Sequence, residues 1–151
     1  MKKILFVITA VAMTVFIVRA VSADKMFPRR EGKIFSARDV KGRYVFSFQG
    51  EVVGAAIIMA ATGVLIADGE GNVTDGVRMI SVNGVPSTQT FTCSIVVHPN
   101  GTGSAICPSN DPAPGFPPIE TYNFVLQDNG KGFRFIGTTL GMVVQGTGER
   151  Q

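Results

Sequence analysis

The chain has 151 residues, 45% of them hydrophobic, with no tryptophan, 18 glycines, two cysteines and a formal charge of +3. Lys2, Lys3 and Arg19 supply that surplus, so residues 24–151 hold eleven basic and eleven acidic side chains. Such a balance excludes the basic surface of a nucleic-acid binder, and the length is that of one domain.

The chain opens MKKILFVITAVAMTVFIVRAVSADK. A basic head, an apolar run over Ile4–Val18 and small residues at Ser22 and Ala23 predict a secretory signal over residues 1–23. The run is short of the roughly 20 apolar residues that a membrane span needs. The expected location is therefore exported, periplasmic or extracellular. Residues 24–42 form a basic N-terminal arm, and residues 24–43 together hold seven basic against three acidic groups. Such an arm suits either a membrane surface or acidic partner, or a solvated tail.

Residues 43–151 read as strands throughout, with Gly, Asn and Asp as punctuation. The expected strands cover Tyr44–Gln49, Met59–Ala67, Val73–Val82, Thr88–His98, Thr102–Cys107, Ile119–Asp128, Lys131–Thr138 and Met142–Glu149. Val52–Ile58 is either a connection or the start of the second strand. Asn-Gly pairs at 83–84, 100–101 and 129–130 mark hairpins, because both positions tolerate positive φ. Eight hairpin-linked strands predict an all-β, eight-stranded antiparallel up-and-down β-barrel, with a two-sheet sandwich as the alternative.

Two registers follow from turn chemistry. A two-residue turn at Asn129-Gly130 pairs Leu126 with Phe133, Phe124 with Phe135 and Tyr122 with Gly137, which keeps one face apolar. A type I turn with a bulge at Gly101 sets His98 opposite Thr102, Ile95 opposite Ala105 and Cys93 opposite Cys107. Cysteines so paired stand about 4.5 Å apart at Cα, within disulfide range. In an exported chain they read as a structural disulfide. Neither the redox Cys-x-x-Cys spacing nor a set of three or four metal ligands is present, and His98 points to the opposite face.

Residues Pro108–Pro118 hold five prolines and one aromatic, Phe116. This stiff loop is either a lid over a barrel mouth or a rigid connector. The candidate interior polar groups are Tyr44, Arg78, Glu120, Tyr122, Asn123 and Arg134, with Glu120 read as a rim carboxylate at a strand end. Small inward residues, Gly103, Ala105 and Gly137, are expected to leave room inside.

The run GRYVFSFQG…AATGVLIADGEGNVTDG…FTCSIVVHPNGTGSAIC…YNFVLQDNGKGFRFI resembles exported bacterial small β-barrel proteins of uncharacterised function, over about residues 42–151. Its layout is similar to lipocalin-like and allene-oxide-cyclase-like barrels, although the lipocalin Gly-x-Trp signature is missing. Those families imply a small apolar ligand inside the barrel, or its cyclisation.

The expected function is an exported small β-barrel that binds a small apolar ligand. The expected ligand contacts are Tyr44, Phe46, Phe48, Phe116, Glu120, Tyr122, Phe124 and Phe135. The alternatives are a cell-envelope structural or interaction module with a filled barrel, and a barrel cyclase or isomerase using Glu120, Tyr122 or Tyr44. No catalytic residue, cofactor or metal is assigned.

Overall fold

The computed structural model describes residues 32–112 and 116–151. The expected signal segment, and the arm as far as Glu31, lie outside them. Eight strands follow one another around a closed antiparallel barrel. They are β1 (Lys41–Val52), β2 (Ile57–Asp68), β3 (Asn72–Val82), β4 (Val85–Val97), β5 (Thr102–Pro108), β6 (Ile119–Gln127), β7 (Gly132–Gly137) and β8 (Met142–Arg150). β8 returns to β1, pairing Tyr44 with Arg150 and Val52 with Met142, so no edge remains open. The up-and-down barrel therefore holds, and the sandwich does not.

Alternation along each strand builds the core. In β1, Tyr44, Phe46 and Phe48 are buried, while Arg43, Ser47 and Gln49 are exposed. The other strands also turn their buried residues inward, but their outward positions include exposed apolar side chains such as Met79, Ile106, Val125 and Ile136. The Val52–Ile58 stretch divides into a turn over 53–56 and the start of β2.

Both turn-derived registers are present. β4 and β5 pair Ile95 with Ala105 and Val97 with Gly103. Cys93 and Cys107 are disulfide-bonded at a Cα separation of 4.1 Å. His98 N donates to Thr102 O at 2.8 Å, and Gly101 takes a φ of 85°, the conformation the bulge requires. A loop of this size gives the bridge about 3 kcal/mol of stabilisation. β6 and β7 pair Tyr122 with Gly137, Phe124 with Phe135 and Leu126 with Phe133. The ladder stops at Gln127 and Gly132, so the turn itself spans residues 128–131.

The inward glycines do not leave open room. Gly103 faces Phe124 across the ladder, and a methyl group there would strike that ring and the Val96 carbonyl. The Gly63–Phe46, Gly76–Phe91, Gly146–Phe135 and Gly148–Phe133 pairs repeat the arrangement. Gly137 is covered by Val144. Eight inward-facing strands with this many phenylalanines would overfill a barrel of this strand number. Removing Cβ from the facing residue lets each ring lie flat on the neighbouring strand.

The two ends differ. The β2–β3, β4–β5 and β6–β7 turns gather at one end, where residues 33–40 cross as a strap. Phe35 N donates to Pro99 O at 3.1 Å, Lys33 Nζ to Asn129 O at 3.2 Å, and Val40 is buried. Lys33 and Asp39 form an ion pair within the strap, and Ser36 N donates to the Asp39 carboxylate at 2.9 Å. This part of the basic arm therefore lies against the barrel, and β1 begins at Lys41. The other end gathers the β1–β2, β3–β4 and β7–β8 turns and the proline-rich loop. Phe116 of that loop is buried in the core with Cys93, Cys107, Phe46 and Phe48.

Candidate functional site in the barrel interior

β3 presents Ile80, Arg78 and Gly76 inward, and the register sets Gln89 of β4 directly beside Arg78. Across the barrel, β6 presents Glu120 and Tyr122 on the same face. The four side chains join. Arg78 Nε donates to Gln89 Oε1 at 2.7 Å, and Nη1 donates to Glu120 Oε2 at 2.9 Å. Nη2 donates to Glu120 Oε1, and the Tyr122 hydroxyl to Glu120 Oε2. Gln89 Nε2 in turn donates to the Asp111 carbonyl at 2.8 Å, which ties the cluster to the proline-rich loop. The Arg78 guanidinium sits 5.7 Å from the ring centroids of both Phe48 and Phe91.

The cluster is deeply buried: Arg78 is 4% and Glu120 2% exposed. Glu120 is thus an interior carboxylate and not a rim one. Its neighbour from the same expected set, Asn123, faces solvent, as does Arg134. Strand alternation places both outward, because Phe124 and Phe135 beside them face the core.

Electrostatics follow from this packing. Burial pulls the Arg78 guanidinium down, but the hydrogen bonds and charge of Glu120, with Tyr122, outweigh it and hold the group above its ordinary value. Burial pushes the Tyr122 phenol up, and the adjacent Glu120 charge pushes it further, so it stays a neutral donor. Tyr44 is raised mainly by burial, but it belongs to the other end, where its hydroxyl donates to Gly130 O at 2.7 Å.

A cavity of about 90 Å³ runs between this cluster and Val40 of the strap. Arg78, Tyr122 and the rings of Phe46, Phe48, Phe124 and Phe135 line it, with Leu65 and Leu126 nearby. Five of the expected contacts therefore share one cavity wall. Tyr44, Phe116 and Glu120 do not touch it: Tyr44 points to the strap end, Phe116 sits under the loop, and Glu120 is held behind Arg78. A wider depression of about 970 Å³ lies outside the barrel. Its outward side chains, such as Ser47, Gln49 and Thr147, are those of a solvated sheet face, and His98 and Arg134 border it.

Gln89 is the residue that sequence reasoning missed. Strand alternation from Cys93 and Phe91 places it inward, and a polar side chain on that face was the available signal. Comparison with protein-family models, with curated proteins and with solved structures gives no match.

Proposed function

We propose that the chain is an exported small β-barrel that binds a small apolar ligand in its interior. The cavity between Arg78 and Val40 carries this reading. Against the roughly 150 Å³ of an apolar cavity that takes benzene, its volume suits a smaller ligand of a few non-hydrogen atoms, a short branched chain or a small ketone. The aromatic wall supplies the apolar contact. Arg78 commits three of its five N–H groups to Gln89 and Glu120, which leaves donors for one acceptor atom on the ligand. The disulfide suits the oxidising compartment that export implies.

An acid–base role for Glu120 has less support. Three hydrogen bonds from Arg78 and Tyr122 occupy its two oxygens, and Glu120 does not line the cavity, so it is poorly placed to abstract a proton from a ligand there.

The test is a thermal-shift panel of small branched hydrocarbons and ketones on the full chain, with Ala105→Leu as the cavity-filling variant. Ala105 lines the cavity. The expected result is a raised melting temperature for the wild type with some members, lost in the variant. No stabilisation by any member, or equal stabilisation of the variant, would sink the reading.

A further inference from the structure

The two ends of the barrel differ in surface chemistry as well as in closure. At the loop end, Leu140 at the β7–β8 turn is 99% exposed. Val53 at the β1–β2 turn, Ile58 beside it and Val85 after the β3–β4 turn are each more than half exposed. These are neighbours and not scattered residues. Val53 N donates to Gly141 O at 2.8 Å, which joins the first two turns. Ile58 N donates to Asn83 Oδ1 at 2.9 Å, and Asn83 N donates back to Ile58 O at 2.9 Å, which joins the third. Exposed Val143 pairs with Glu51, which also pairs with Ile58. The exposed aliphatic side chains therefore form a ridge across adjoining turns.

Exposed apolar side chains also occur toward the other end, at Ile34, Val96 and Val125, but charge is distributed the opposite way. Among the described residues, the exposed charges at the loop end are Glu51 and Asp111 alone. Lys33, Arg38, Lys41, Arg43, Glu70, Asp128, Lys131, Glu149 and Arg150 are all exposed at or near the strap end.

We propose that the loop end is a membrane-docking face, whose aliphatic turn tips enter the interfacial region of a lipid bilayer while the charged strap end faces water. Two observations favour a bilayer over a protein partner. The ridge amounts to on the order of 400–500 Å² of apolar surface, the size of patch that is often functional on a monomer, yet well short of the roughly 800 Å² per partner of a stable protein interface. It also consists of projecting turn tips, and a fluid lipid surface accepts them without a complementary groove. The absence of basic groups among the described residues of this face sets the lipid preference. Docking is driven by apolar burial, so zwitterionic lipid suffices, and added anionic lipid or salt changes little.

The chain has no tryptophan, so single-tryptophan variants of the full chain report depth directly. Leu140→Trp marks the loop end and Lys131→Trp the strap end; both positions are exposed turns that tolerate the ring. With phosphatidylcholine vesicles carrying brominated chains, the Leu140→Trp emission should shift to the blue and be quenched about twofold, while the Lys131→Trp emission stays unchanged. The apolar run at residues 4–18 could hold the chain on vesicles by itself, but it would not carry the position-140 probe selectively into lipid. A Val53→Asp substitution added to Leu140→Trp should lower partitioning about tenfold, the share of one large aliphatic side chain. An unquenched Leu140→Trp probe, equal quenching at both positions, or partitioning indifferent to Val53→Asp overturns the proposal.

Discussion

Arg78 and Glu120 stand 42 positions apart in the chain and meet head-on inside the barrel, two opposite charges with almost no access to water. Removing an ion pair from water is expensive, and the attraction between the two repays it only while both are present and hydrogen-bonded. Here Gln89, Tyr122 and two phenylalanine faces complete the shell. The pair therefore ties β3 to β6 across the barrel, and each half depends on the other.

Breaking either half should cost far more than removing both. Arg78→Met or Glu120→Leu alone is expected to destabilise the barrel by about 3–5 kcal/mol, because the partner charge is left buried and unpaired. The double variant Arg78→Met/Glu120→Leu should lose no more than either single one, with its remaining loss traced to the freed Gln89 and Tyr122 groups. Urea unfolding across the four-member cycle measures this. Additive losses would mean that the two charges do not depend on each other.

The sequence made the strands legible, and the two short turns fixed their registers. The Pro-Asn-Gly hairpin placed Cys93 opposite Cys107, and Asn129-Gly130 placed Phe124 opposite Phe135, because turn type and a single apolar face leave one solution. The Arg78–Glu120 pairing was not legible in the same way. It requires knowing that β5 pairs with β6 through Cys107 and Glu120, and the long proline-rich loop between those strands carries no register. The glycine positions were misread for the same reason. Gly103 looks like empty space until the β5–β6 register sets Phe124 on top of it.

The ring-on-glycine packing makes a second prediction. The three atoms nearest to a Cβ added at Gly76 are all in the Phe91 ring, at 2.5 to 2.8 Å, with no backbone atom among them. Gly76→Ala should therefore destabilise the barrel by about 1–3 kcal/mol through overpacking, although alanine suits a strand better than glycine. In a Phe91→Leu background the same substitution should be close to neutral. Equilibrium unfolding of the four proteins reads the coupling. An equal cost in both backgrounds would show that the glycine serves the backbone and not the ring.

The strap over the cavity carries a titratable latch. The side-chain hydrogen bond from Lys33, helped by the Ser36 amide and the lysine charge, holds the Asp39 carboxyl below the usual carboxylate value of 3.8. A carboxylate whose pKa is lower in the folded chain contributes stability that is complete above the unfolded value. That contribution is lost as pH falls through the folded value. Strap docking should thus be constant from neutrality down to about pH 4 and weaken below it. Amide exchange at residues 35–40, corrected for intrinsic rates, is the measurement. The expected outcome is a selective loss of protection there at acid pH while the strands hold. In Asp39→Asn the acid step should vanish, leaving the strap uniformly less protected. An acid step that survives in Asp39→Asn would assign the latch to another group.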